Sequence, residues 1–381
     1  MIFGINAARA RSGGAKTHLT GILNECGPTR HMFAEVHIWS YPALLNALPN
    51  QPWLIKHSPP ELERSMAKQL YWERFSLPKA LQQAGCNVLL NLDAGTVCRF
   101  RPAVTMSRDM LSYEPGEIKR FGLSKACLRL ILLRYMQNSS LQAAEGVVFL
   151  TQYAAHMIQQ SCGALSRVAI IPHGVGDAFK KAHPVQSWPL NNARPIRCLY
   201  VSPVWEYKHQ CVVVRAIERL RHFGYEITLD FVGTGSDLAL SKLKKQIKLS
   251  DPRGIFVHVI GHVPQSELAN TLANADVFVF ASSCENMPNT LLEAMSVGLP
   301  IACSNRGPMP EILQDGGVYF DPEDTVSIAN AIEQIITDDG LRTRVSQQAR
   351  ALSGLFSWQQ CTDKTLAFMA ETLKLDRDVS V

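Results

Sequence analysis

The sequence is poor in the features that mark several protein classes. No two cysteines stand in a Cys-x-x-Cys spacing, and none pairs with a nearby histidine as a zinc site requires. The ten thiols, at 26, 86, 98, 127, 162, 198, 211, 284, 303 and 361, therefore read as reduced, which implies a cytoplasmic protein. No run of about 18 uncharged apolar residues occurs, so no membrane-spanning helix is expected. The apolar start of MIFGINAARARSGG is too short for a signal peptide. Aromatics at 8% do not favour a single-stranded nucleic-acid stacker, and charged residues at 19% are too few for a disordered chain. Neither a repeat nor a low-complexity tract interrupts the chain. No D-x-D-type carboxylate pair follows a predicted strand; Asp109, Asp177 and Asp276 are isolated, so no metal or other cofactor is expected.

What is present is apolar substance. Of 381 residues, 46% are hydrophobic, ample for two packed domains. The net charge of +5 is uneven: residues 1–175 carry 18 Lys and Arg against 10 Asp and Glu, and the remainder 20 against 23. A basic front half suits an acidic partner such as phosphate or anionic lipid.

Short apolar runs alternate with helical stretches. In the first half MIFGINA, FAEVHIW, CNVLLNLD, PAVTMS, EGVVFLT and RVAIIP read as strands, and ELERSMAKQLYWERFSLPKALQQAG as a helix broken near Pro78. Four prolines in and beside the polar stretch 173–195 suggest a linker. The alternation restarts with IRCLYVS and runs through YEITLDFVG, GIFVHVIG, DVFVFAS and PIACS. The expected architecture is α/β: two Rossmann-like, doubly wound domains facing across a cleft, over 1–173 and 174–356, with 357–381 a final helix. Ligands in such sheets bind beyond the carboxyl ends of the strands.

One stretch stands out, CENMPNTLLEAMSVGLP at 284–300. Pro288 fits the first helical position, where its missing N–H is harmless. The amides of Asn289, Thr290 and Leu291 would then be open to a diphosphate, helped by the helix dipole. Glu293 leans back toward the helix start, where a carboxylate suits a vicinal diol better than a phosphate. Glu285 precedes the helix and could meet a sugar ring. The plainer alternative is a Pro-started helix with two solvated glutamates.

The neighbouring residues extend the pattern. CENMPNTLLEAMSVGLPIACSN resembles the donor-site signature of retaining glycosyltransferases of the GT4 family, which have the GT-B fold. SGGAKTHL is similar to that family's glycine-rich loop, IIPHGV to its interdomain crossing, VSPVWEYKH to its lysine-bearing loop, VIGHV to its base-contacting loop and PMPEIL to a downstream element. The resemblance implies that Glu285 contacts the donor sugar and Glu293 the ribose. It implies that Lys208 and the amides around Met287, Pro288, Asn289 and Thr290 hold the diphosphate, and that His262 and Val263 border the base. Gly13 and Gly14 would admit the phosphates closely, a Cβ at Gly14 colliding with them. The sequence departs from the pattern at Ser202 and Pro203, where glycine and arginine are usual. Arg108-Asp109 stands where a His-Asp pair is common, leaving Asp109 as a candidate near the reacting centre.

The activity so implied is metal-independent, retaining transfer of a sugar from a UDP-, GDP-, ADP- or dTDP-linked donor to a glycan or lipid-linked hydroxyl, in cell-surface polysaccharide or lipopolysaccharide assembly. A nucleotide-sugar epimerase and a non-catalytic sugar-nucleotide binding protein are the alternatives. VGTGSD lacks the third glycine of a dinucleotide fingerprint. Segment 117–137 combines Lys119, Arg120, Lys125, Arg129 and Arg134 with many leucines, and reads either as a core helix with a solvated basic edge or as a surface resting on the inner face of an anionic membrane. His18, His156 and His173 read as satisfied structural histidines, and KLKKQIK at 242–248 as a solvated face; no nucleic-acid partner is expected.

Overall fold

A computed structural model of the chain describes residues 1–11, 13–27, 31–189 and 193–379. It divides into two compact units, Met1–Gly174 with Ser357–Val381, and Val175–Phe356. Ser12 of the glycine-rich stretch and 190–192 of the expected linker lie outside the described residues.

The first unit holds seven parallel strands: β1 (Ile2–Asn6), β2 (Glu35–Trp39), β3 (Leu54–His57), β4 (Val88–Asn91), β5 (Ala103–Met106), β6 (Gly146–Phe149) and β7 (Val168–Ile170). Their order is β3-β2-β1-β4-β5-β6-β7, with Ile5 level with Ile38 on one side and Leu90 on the other. Strands β4, β5 and β6 are buried along their whole length, which is why they read as mainly apolar runs. Strand β3 was not expected: LIKH is a half-buried edge strand whose Lys and His obscure any pattern.

The stretch around Pro78 corrects the sequence reading. The chain does not break there. A helix over Met66–Tyr71 runs through a π-turn at Trp72–Ser76 into Leu77–Gln83, and the π-turn, in which the Leu77 amide donates to the Trp72 carbonyl, accommodates Pro78, which has no N–H. The discontinuity lies earlier, at Arg64 and Ser65.

Helix Trp358–Val379 returns to the first unit and packs against helix Gly13–Glu25 and strands β4 to β6. Two glycines admit its first turn. A Cβ on Gly21 would lie 2.3 Å from the Trp358 ring, and one on Gly174 would lie 2.1 Å from the Trp358 amide nitrogen.

The second unit has six parallel strands, β8 (Ile196–Val201), β9 (Ile227–Val232), β10 (Val257–Gly261), β11 (Val277–Phe280), β12 (Ile301–Ser304) and β13 (Val318–Phe320), in the order β10-β9-β8-β11-β12-β13. The stretch expected as a linker is instead tied into this unit. It contains helix Asp177–Lys181, anchored by buried Phe179, and Arg350 donates to the carbonyls of Lys180 at 2.9 Å and Ala182 at 3.2 Å. In each sheet the winding reverses beside the first strand, at β1/β4 and at β8/β11. Connections leave in opposite directions there, opening a crevice at the strand ends.

Candidate functional site

In the second unit the reversal point brings two loops together. One follows β8 and carries Ser202 to Lys208; the other follows β11 and carries Ser282 to Pro288. They are laced to each other. The Ser283 amide donates to the Tyr207 carbonyl at 2.8 Å, and His209 Nε2 meets Ser283 Oγ at 2.9 Å. Tyr200, in the core, donates its hydroxyl to the Lys208 carbonyl at 2.7 Å, and Gln210 Nε2 donates to Ser202 Oγ at 3.0 Å. His209 has φ +51°, which turns the chain into helix Gln210–His222.

The glycines of VGTGSD let this β8 loop sit where it does. A Cβ on Gly233, which has φ +135°, would be 2.1 Å from the Ser202 carbonyl oxygen. One on Gly235 would be 2.4 Å from the Val204 carbonyl oxygen. The Gly-x-Gly is therefore a backbone-approach device.

Lys208 and Glu285 form a salt bridge, with side chains 8% and 14% exposed. The ammonium also lies 5.2 Å above the Tyr207 ring and 5.6 Å from the centroid of Phe280. The lysine that the resemblance gives to a diphosphate is thus paired with the carboxylate that it gives to a sugar.

Helix Asn289–Val297 begins one residue later than expected. Pro288 is its N-cap, not its first helical residue, with φ −82° and ψ 106°, and its carbonyl accepts from Leu292 at 3.3 Å. No side chain caps this end. Asn289 is half-buried and its Oδ1 has no hydrogen-bond partner among the described residues; Met287 and Pro288 are buried and Thr290 is half-buried. Glu293 is 6% exposed. Its Oε1 accepts from Gln265 Nε2 at 2.9 Å, while Oε2 has no partner among the described residues. Burial drives its carboxyl from the usual 4.5 up to about 7, against the pull of the Gln265 bond. Gln265 was not singled out in the sequence. It opens helix Gln265–Ala273, directly after exposed His262 and half-buried Val263, and so links the β10 loop to Glu293.

In the first unit, Gly13 and Gly14 are already helical, at the start of Gly13–Glu25, and a Cβ on Gly13 would meet nothing within 4 Å. Arg108 and Asp109 follow β5, both half-buried. Burial lowers the Arg108 guanidinium to about 10, opposed by Asp93, and Asp109 Oδ1 accepts from the Leu111 amide at 3.0 Å. Burial raises the Asp93 carboxyl. His18 corrects an expectation: it is fully buried, yet neither ring nitrogen has a hydrogen-bond partner among the described residues. It packs edge-on against His173, 4.5 Å away, and Trp358, 5.7 Å away. Burial holds both histidines well below their usual range, with Arg108 adding to the effect.

A further polar cluster at the end of β1 went unread. Glu73, 2% exposed, accepts from Asn6 at 2.8 Å, Thr96 at 2.6 Å and Arg9 at 3.3 Å. In sequence it resembled any solvated glutamate on a helix. Among the described residues no group of three or more His, Cys, Asp or Glu is placed to hold a metal ion, and no helix is long and apolar enough to cross a membrane. All ten cysteines are free thiols.

Residues 186–352 match the family model of the glycosyl transferases group 1. The matched stretch takes in most of the second unit, which is thus similar to the group 1 glycosyl transferases. Ser202, Lys208, His262, Val263 and the stretch from Glu285 to Glu293 all fall inside the group 1 match, whereas Gly13, Gly14, Arg108 and Asp109 fall outside it. The chain is 36% identical over 111 residues to O-antigen chain mannosyltransferase B of Escherichia coli, covering 29% of each protein. It is 38% identical over 110 residues to the lipopolysaccharide core biosynthesis glycosyltransferase LpsE of Rhizobium meliloti, covering 28% of this chain and 32% of that protein. The chain thus spans about a third of the length of these curated relatives. HepE of Anabaena, solved with UDP and glucose, superposes with a TM-score of 0.70 at 17% identity, over 98% of this chain and 99% of that one. The chain accordingly has the GT-B fold, with two Rossmann-like units.

Proposed function

We propose that the protein is a metal-independent, retaining glycosyltransferase that moves a sugar from a nucleotide diphosphate to a hydroxyl of a glycan or lipid-linked acceptor at the inner face of a membrane. The observation that carries this is the pairing of buried Lys208 with half-buried Glu285 beside the uncapped start of helix Asn289–Val297. Departure of a diphosphate puts negative charge on its oxygens while the sugar becomes oxocarbenium-like. A fixed ammonium and a helix N-terminus favour that charge without reorganising, and one such donor contributes about 2.7–4 kcal/mol. The diphosphate would share Lys208 with Glu285, freeing carboxylate lone pairs for the sugar hydroxyls. The open Oε2 of Glu293 suits a ribose diol. The names of the relatives support a role in surface polysaccharide or lipopolysaccharide assembly, and the ligands of HepE support a nucleotide-sugar donor.

The first measurement is thermal unfolding with UDP, GDP, ADP and dTDP. The cognate nucleotide at about 100 times its Kd should add roughly 2.7 kcal/mol of stability. With the matching sugar donor, a product bearing a new glycosidic bond of the donor's anomeric configuration is expected, unchanged by EDTA. Glu285→Gln should retain nucleotide binding and lose transfer. An isomerised donor without acceptor product would assign an epimerase, and binding with no turnover a sugar-nucleotide binder.

A further inference from the structure

We propose that the first unit docks on an anionic lipid bilayer through a continuous face built from helix Lys125–Ala143 and the segment 66–76. The proposal deepens the reading that the acceptor is lipid-linked, and its test needs no sugar transfer.

Leu128, Ile131, Leu132 and Tyr135 follow the i, i+3, i+4, i+7 spacing that normally marks the core side of a helix. Here they are the outward side, 59%, 44%, 60% and 76% exposed. The buried residues of the same helix, Leu130, Gln137, Ser140 and Leu141, lie on the opposite side. Leu123, just before the helix, is also fully exposed. The π-turn segment continues this face: exposed Tyr71 and Phe75 line one shallow depression together with Arg74, Arg99 and Met136. Contiguous apolar surface of this kind marks an interaction site.

The charge selects the occupant. From Ile118 to Ala143 there is no Asp or Glu, and Lys119, Lys125 and Arg129 are exposed. Arg120 is paired to Glu117, and Arg134 donates to the Ser112 carbonyl. Within 66–76 the one acid, Glu73, is buried in its bonds to Asn6, Thr96 and Arg9. Exposed Lys119, Lys125 and Arg129 beside outward leucine, isoleucine and tyrosine match lipid phosphates above an acyl boundary. A second copy of the chain in a two-fold contact would set these cations against themselves.

Flotation of the full chain with phosphatidylcholine vesicles, with and without phosphatidylglycerol, tests the proposal. Binding is expected to the anionic vesicles, weakened by salt. Ile131→Ser with Leu132→Ser, and separately Lys125→Glu with Arg129→Glu, should each reduce partitioning roughly tenfold or more. Leu238→Ser with Leu355→Ser, more exposed positions of the second unit, should not. Unchanged nucleotide-induced stabilisation in every variant reports intact folding and separates this outcome from failure of the sugar-nucleotide reading. The proposal is overturned if anionic vesicles leave the chain in solution, or if neither pair alters binding. It is also overturned if sedimentation reveals a dimer that the Ile131/Leu132 variant dissolves.

Discussion

Gln265 donates to one oxygen of Glu293, and the other oxygen, which is buried, has no partner among the described residues. A half-satisfied buried carboxyl is easier to keep protonated than ionised, and its pKa near 7 follows. Because the folded value lies above the unfolded one, the stabilising contribution is complete below about pH 4.5 and is lost as pH rises through about 7. The loss amounts to about 3 kcal/mol by pH 8 to 9. Urea unfolding of the wild type should show that decline, and Glu293→Gln should flatten it. If a ribose diol donates to the open oxygen, nucleotide binding will release protons near neutral pH. Calorimetry in buffers of different ionisation enthalpy would detect the release, and its absence would place the nucleotide elsewhere.

The Lys208–Glu285 pair predicts an asymmetry. Lys208→Met leaves a half-buried carboxylate without its cation and should cost about 1–3 kcal/mol, below the value for a fully buried pair. Adding Glu285→Gln removes the orphaned charge and should restore much of that loss without restoring activity. Equal destabilisation in single and double variants would show that the pair is not coupled.

Gly233 cannot become alanine without displacing Ser202, because its φ of +135° and the 2.1 Å approach to a carbonyl oxygen both exclude a Cβ. Gly233→Ala should destabilise the second unit by about 1–3 kcal/mol and weaken nucleotide binding. Wild-type affinity in this variant would detach the loop from the site.

Gly174→Ala tests the seat of the last helix. The added methyl would meet the Trp358 backbone, which cannot rotate away as a side chain can. Faster amide exchange in Trp358–Val379, with about 1–3 kcal/mol lost from the first unit, is expected. Gly163→Ala, where φ is +83° but space is open, separates the cost of backbone strain from that of the collision at Gly174, whose φ is not positive.

Sequence alone determined the two parallel sheets, because strands buried on both faces are largely apolar, and β6 and β11 are apolar throughout. It also marked Glu285, Lys208 and Glu293 as a group, through a long ordered pattern rather than through any single residue. Tertiary structure decided what spacing does not encode: that Lys208 rests on Glu285, that Gln265 reaches Glu293 across 28 positions, and that the leucines of Lys125–Ala143 face outward. The physical reason is shared. Periodicity tells which residues lie on one face of an element, while the partner of a charge and the side of a helix that meets water depend on what packs beside it.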